Sequence, residues 1–332
     1  MTTFVPLPDT RTPLDMATAE QAFADILDWR CGPEDVQRFL TDMTLRDETS
    51  IEIAACVRAM RARMIEVHAP AGAIDVCGTG ADGQDSVNIS TAVAIVVAAC
   101  GVPVAKHGNR AASSKAGGAD TLEALGLDLD IASETAERSL AEIGIAFLFA
   151  QKHHPALTAL GPIRKKIGRR TIFNLVGPIC NPARVRRQLI GIARPDFMPV
   201  YAEAMNMLSF DDAMLVAGDE PLDELSIAGP STVVRVGKTG ATALRVEPAD
   251  AGLPRHPLEA LRGGDAAHNA AALRALLQGE PGAYRDAVLL NSAAALMIAG
   301  RAGAFSEGVE EAAEVLDNGL ANTLLDCWIA YR

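Results

Sequence analysis

Apolar positions in the first seventy residues recur at helical spacing. Ala22, Phe23, Ile26 and Leu27 form one stripe. Val36, Phe39, Leu40 and Met43 form a second, and Ile53, Cys56, Val57 and Met60 a third. Thr18 with Gln21 and Thr49 with Glu52 stand three residues apart ahead of the first and third stripes, the spacing of a capping box. Gly32-Pro33 opens the second. The pattern predicts three short amphipathic helices in a small bundle over residues 1–70, with one face left to pack elsewhere.

From Ala73 the period changes. Short apolar runs at Ala73–Cys77, Val102–Ala105, Ile145–Phe149, Gln188–Ala193 and Ala213–Ala217 read as strands. Helical segments at Thr91–Ala99, Thr121–Leu125, Glu134–Ile143 and Val200–Leu208 lie between them. This alternation predicts a large α/β domain over 71–332 with a mainly parallel central sheet covered on both faces. Ligands of such sheets bind at the carboxyl ends of the strands. The Gly-, Pro- and Ala-rich 250–270 region reads as loop and short helix. The longest apolar stretches, Ala92–Cys100 and Ala287–Ala299, are too short to span a bilayer, so no membrane role is expected.

Polar chemistry gathers after the first two strands. Asp75-Val76-Cys77-Gly78-Thr79-Gly80-Ala81-Asp82-Gly83 leads through Ser86-Val87-Asn88-Ile89-Ser90-Thr91 into a helix. Glycines let backbone approach a phosphate, and a helix N-terminus supplies unpaired N–H groups and positive dipole. The segment is neither a Walker A loop nor a dinucleotide fingerprint; an ordinary tight turn remains the alternative. After the next strand, Lys106-His107-Gly108-Asn109-Arg110-Ala111-Ala112-Ser113-Ser114-Lys115 and then Gly117-Gly118 bring cations and hydroxyls to a strand-end loop. Asp223-Glu224 could hold magnesium through one or two oxygens while phosphates complete the octahedron, or could be a solvated acidic turn.

Composition narrows these options. The 332-residue chain is 49% hydrophobic and 22% charged, enough for a substantial core and against disorder. A net charge of −12 and 4% aromatic residues argue against a nucleic-acid grip while leaving room for a small basic pocket. Six scattered cysteines without a C-x-x-C pair, and an N-terminus lacking a secretory pattern, predict a cytoplasmic protein with reduced thiols. Adjacent His153-His154 cannot face one zinc ion.

Together these segments resemble the anthranilate phosphoribosyltransferase family over nearly the whole chain, with Lys106–Arg110 and Asn88–Thr91 the most specific matches. Leu261-Arg262-Gly263-Gly264 and Asn291-Ser292-Ala293-Ala294 match as well. The resemblance implies the nucleoside phosphorylase/phosphoribosyltransferase architecture and a homodimer through the helical domain, to which helices near 155–180 return. Substrates are then expected between the domains. It implies a pentosyltransferase of tryptophan biosynthesis that joins anthranilate to phosphoribosyl pyrophosphate. Anthranilate would meet Gly78, Asn109 and Arg164, with His107 and His154 along its path. The phosphoribosyl substrate would meet Gly78, Ala81, Asp82, Ser86, Asn88 through Thr91 (with Ile89 and Ser90), Lys106, the loop His107–Ser114 and Gly118. Within that loop Gly108, Asn109, Arg110, Ala111, Ala112, Ser113 and Ser114 are all implied. Ser90, Asp223 and Glu224 would serve magnesium, two ions per subunit. Arg164 otherwise reads as part of a basic surface helix.

The family's loop usually runs G-T-G-G-D-G, and here Ala81 takes the fourth place; Gly118 stands where serine is common. The implied reaction is displacement of pyrophosphate at the anomeric carbon by the amine, with no protein nucleophile. Two other readings compete. A pyrimidine nucleoside phosphorylase would place a lysine where Gln84-Asp85-Ser86 stands. An inactive, nucleic-acid-binding relative would use Arg164–Arg170 and Arg184–Arg187, against the net acidity.

Overall fold

A computed structural model describes residues 4–80, 82–111, 114–220 and 222–332. The chain opens with α1 (Met16–Leu27), α2 (Pro33–Leu45) and α3 (Ser50–Arg61), the three expected helices. The Thr49–Glu52 capping box forms in both directions. The Thr18 box does not. Asp15 caps α1 by accepting from the Thr18 backbone N–H, so the helix starts earlier than the Thr18 reading placed it.

β1 (Asp75–Gly78), α4 (Ile89–Ala99) and β2 (Val104–Gly108) follow, then α5 (Gly118–Ala124), α6 (Leu129–Glu134), α7 (Ala136–Glu142) and β3 (Ile145–Phe149). Next come α8 (Ala150–His153), α9 (Gly161–Ile167), α10 (Ile172–Leu175), β4 (Arg187–Gly191), α11 (Met198–Met207) and β5 (Asp212–Gly218). The hairpin β6 (Ser231–Gly237) and β7 (Gly240–Val246) precedes α12 (Ala266–Leu277), α13 (Ala283–Ala299), α14 (Phe305–Asp317) and α15 (Leu320–Ala330).

β1 pairs in parallel with β4, and β4 with β5; β6 and β7 then add antiparallel strands. The parallel pair β2–β3 joins β1 through a single bridge, Ile74 to Val104. The strand order is therefore β3-β2-β1-β4-β5-β6-β7, mainly parallel as expected. Side chains alternate across it. Val76, Leu189, Met214 and Val216 face a core shared with α4 and α13, while Cys77, Ile190 and Leu215 face α1–α3, α10 and α11. α9 packs on α2, and α10 on α3, which closes the helical layer over one face of the sheet.

Two differences from the sequence reading bear on the site. β2 runs to Gly108, so Lys106 and His107 are strand residues rather than loop residues. The β6–β7 hairpin has no clean strand pattern in the sequence, because Val233-Val234 interrupts strict alternation. Because β2 and β4 lie on opposite sides of β1, the chain reverses direction of growth there, and a crevice opens at the carboxyl end of β1.

Candidate active site

The crevice is a cavity of about 370 Å³, within the range of small-ligand sites. Its floor is the end of β1 and the start of α4: Gly78, Asn88, Ser90 and Thr91 line it. One wall is β2 and its loop, from Lys106 through Ala111, with Ser114 and Gly118. The opposite wall carries His154, Arg164 and Arg170. The loops after β1 and β2 do lie side by side.

Lys106 is buried and reaches across to the floor. Its Nζ donates to the Val76 carbonyl at 2.8 Å and to Ser90 Oγ at 3.2 Å. Burial pulls its pKa down, opposed chiefly by the charge of Asp75. Asp75, fully buried on β1, accepts from the His107 backbone N–H and from the side-chain amides of Asn181 and Gln188, at 3.1, 2.8 and 3.0 Å. Burial pushes its pKa up, and Lys106 opposes this most. Burial thus works against the charge on both groups, and each offsets part of that in the other without a direct contact between them.

Asp223 and Glu224 leave the end of β5 and fold back over the strand ends. Asp223 Oδ2 accepts from the Gly80 backbone N–H at 2.7 Å, and the Asp223 N–H lies 3.5 Å from Asp82 Oδ2. The Ser90 backbone N–H, in the first turn of α4, supports the Glu224 carboxylate. Burial, with the neighbouring Asp82 charge, pushes the Asp223 carboxyl up to about 7. Burial and Asp223 push Glu224 well above the carboxylate range. Crowded acids of this kind call for a cation, so the pair fits magnesium. Among the described residues no three acidic, histidine or cysteine side chains converge as a complete metal cage, so a cation held by this pair would need further oxygen ligands.

Other expected residues are placed differently. Arg110 lines the cavity, but its guanidinium pairs with Asp120 and Glu123. Ile89 buries its side chain in the core, which leaves only its backbone for a ligand. Ser86 pairs with Arg262, and Asp82, Ser86, Asp223 and Glu224 border the crevice loops without lining the cavity. Ala81, Ala112 and Ser113 lie outside the described residues.

Arg164 and Arg170 have no carboxylate partner within salt-bridge distance among the described residues, and burial lowers the pKa of each. Two cations on one wall, neither in an ion pair among the described residues, suit an anionic ligand. Sequence reasoning missed Arg170, Phe173, Asn174 and Pro178, which complete this wall. The readable signal was local: Thr171 and Asn174 form a capping box immediately after Arg170.

His107 and His154 are buried, with ring centroids 5.1 Å apart. His107 Nδ1 donates to the Gly177 carbonyl at 3.1 Å. Burial lowers both pKa values, His154 to about 4. Above pH ~6.5, the unfolded value, neither state is protonated. Between 6.5 and 4 the unfolded chain takes up a proton that the fold refuses, so stability falls as pH falls. His154 alone accounts for up to roughly 3 kcal/mol of that loss. Thermal melts from pH 7.5 to 4.5 should therefore fall less steeply for His154→Gln than for wild type. Parallel curves would show that His154 is not held neutral.

Residues 71–322 match the glycosyl transferase family, a/b domain. The chain is 63% identical to an anthranilate phosphoribosyltransferase of Novosphingobium aromaticivorans, over 98% of each chain. It superposes on the crystal structure of anthranilate phosphoribosyltransferase from Thermus thermophilus with a TM-score of 0.90. That comparison has 42% identity and covers 96% of each chain. The Saccharomyces cerevisiae anthranilate phosphoribosyltransferase, solved in complex with PRPP and Mg, matches with a TM-score of 0.88 and 27% identity, over 96% of this chain and 93% of that one.

Proposed function

The chain belongs to the anthranilate phosphoribosyltransferases, and from that premise we propose how its own residues perform the transfer. The enzyme moves the phosphoribosyl group of phosphoribosyl pyrophosphate to the amine of anthranilate. A C–N bond forms at the anomeric carbon as the C–O bond to pyrophosphate breaks, the bond electrons leave with the pyrophosphate, and the amine gives up a proton. The single observation that carries the assignment of roles is one cavity with three unlike borders. These are the start of α4 with Lys106, an acidic pair behind the strand-end loops, and two arginines opposite with no ion pair among the described residues.

The N-terminal turn of α4, Ser90, Thr91 and Lys106 bind the phosphoribosyl substrate, with Gly78, Asp82 and the Gly108–Ser114 loop around it. Asp223, Glu224 and the Ser90 hydroxyl would hold magnesium, two ions per subunit. Magnesium bound there would neutralise the diphosphate and make it a better leaving group. Arg164 takes the anthranilate carboxylate in a forked contact. Asn109, His107 and His154 shape the aromatic slot between the walls. No side chain acts as nucleophile; the residues position two substrates and balance developing charge.

We divide the chain into a helical domain of residues 1–70, joined by helices between 155 and 180, and an α/β domain over the remainder. Phe4, Trp29, Leu45, Ile51 and Ile65 are exposed apolar side chains on or beside the helical layer, which supports a homodimer through that domain. The cysteines are all free, which supports a cytoplasmic enzyme, and no described helix is long and apolar enough to cross a membrane.

Anthranilate fluoresces, so turnover is read as loss of signal when phosphoribosyl pyrophosphate and magnesium are added. No loss, with a control enzyme active in the same buffer, would overturn the assignment. In the same assay Arg164→Ala should raise KM for anthranilate about 10- to 100-fold, the worth of a charge-assisted hydrogen bond, and leave KM for phosphoribosyl pyrophosphate within about threefold. An equal rise in both constants would remove Arg164 from the anthranilate site.

A further inference from the structure

Asn88 stands at the N-cap of α4, yet its side chain makes no capping bond. Its side-chain oxygen is fully engaged elsewhere. Oδ1 accepts from Thr121 Oγ1 and from Asn269 Nδ2, the latter at 2.9 Å, and Nδ2 donates to the Ala116 carbonyl at 3.2 Å. The Tyr284 hydroxyl donates to the Asn88 carbonyl at 3.1 Å. Asn269 Oδ1 in turn accepts from the Gly264 backbone N–H at 2.8 Å. Thr121 and Asn269, on α5 and α12, are buried and lie outside the cavity lining.

We propose that Thr121 and Asn269 are positioning residues for the phosphoribosyl substrate, acting through Asn88; this rests on the assignment of the α4 N-terminus to that substrate. Asn is among the best N-caps, so a free Asn88 side chain would fold over its own helix and accept from the Thr91 backbone N–H. The two anchors hold it away. The Thr91 N–H, which such a cap would occupy, therefore stays open to an anion, and the Ala116 bond ties the β2–α5 loop to the same point. An ordinary cap would stabilise the helix and block the ligand; this arrangement gives up the cap to keep the cradle open.

The test is steady-state kinetics with both substrates and calorimetric titration with the magnesium complex of phosphoribosyl pyrophosphate, on Thr121→Val, Thr121→Ser and Asn269→Asp. Valine is close in shape but cannot donate. Aspartate keeps the Gly264 contact but puts a carboxylate oxygen against Asn88 Oδ1. Valine and aspartate should each raise KM and Kd for phosphoribosyl pyrophosphate about tenfold or more, with KM for anthranilate within about twofold and melting temperatures near wild type. Serine should restore wild-type constants. If both variants keep KM for phosphoribosyl pyrophosphate within about twofold of wild type, the anchoring role is wrong. It is equally wrong if serine is as impaired as valine, or if both KM values rise together as the melting temperature falls. A wild-type protein that neither binds nor turns over the substrates would overturn the underlying assignment and the anchors with it.

Discussion

Asp223→Asn combined with Glu224→Gln is expected to lower kcat/KM by about 10³-fold or more while leaving the metal-free fold as stable as wild type at neutral pH, or more so. The activity loss follows from charge. Removing one neutral donor to a developing anion costs 10²–10³ in many enzymes, and here both carboxylates that would hold the cation are neutralised together. The stability gain follows from crowding. Asp223 is pushed up to about 7 by burial and by Asp82, against about 4 in the unfolded chain. Below pH ~4 both states are protonated. Between ~4 and ~7 the unfolded chain ionises while the fold keeps its proton, so this group's contribution is lost as pH rises through about 7. The metal-free wild type should therefore melt lower at pH 8 than at pH 6 relative to the amide variant. Magnesium with phosphoribosyl pyrophosphate should restore the wild type and do little for the variant. Wild-type turnover in the double variant would remove the metal assignment.

How far the sequence anticipated this site depends on the range of the contacts. The three N-terminal helices, the five parallel strands and the glycine-rich turn were legible because each is written in a window of ten or so residues. The match of Lys106–Arg110 to a family pattern pointed to a segment that lines the cavity, but not to what its side chains contact. Lys106 belongs to a buried strand and reaches across to the Val76 carbonyl on β1 and to Ser90 on α4, contacts that no local spacing reveals. Arg110 reads as a phosphate ligand from the sequence, and the structure adds its ion pairs with Asp120 and Glu123, one turn apart on α5. Arg170 and its neighbours were missed for the same reason in reverse. Their role comes from packing α9 and α10 over the sheet, against helices more than a hundred residues earlier. Asn88 is the sharpest case. Local rules make it a helix cap, whereas its side chain bonds instead to Thr121 and to Asn269, 181 residues later.

The net charge of −12 shows the same contrast between a sum and an arrangement. It disfavours a long polyanion, yet Lys106, Arg164 and Arg170 border one small cavity, and two of the acids sit where a cation would convert them from repulsion into binding.

Gly191→Ala should be the most damaging single methyl addition at this site, with activity down about a hundredfold or more and stability reduced by about 2 kcal/mol or more. Gly191 ends β4 opposite Gly78, and the Asp223 backbone crosses directly over it. A Cβ at Gly191 would lie 1.5 Å from the Asp223 carbonyl oxygen and 2.4 Å from its carbonyl carbon, so the loop itself must lift. At Gly78 the corresponding clash is with Asp223 Oδ2 at 2.4 Å, a side-chain atom that can swing aside. Gly78→Ala should therefore perturb the carboxylate with less loss of stability than Gly191→Ala. The Thr79 N–H donates to the Gly191 carbonyl at 2.9 Å, so lifting the loop strains the β1 turn as well. A displacement of about 1 Å at a positioning group is enough for a hundredfold loss of rate. Circular-dichroism melts and the fluorescence assay on both variants read the two quantities separately. If Gly191→Ala retains activity within about threefold of wild type, Asp223 does not need the close approach seen here, and its carboxylate is positioned by something other than the glycine pair at the ends of β1 and β4.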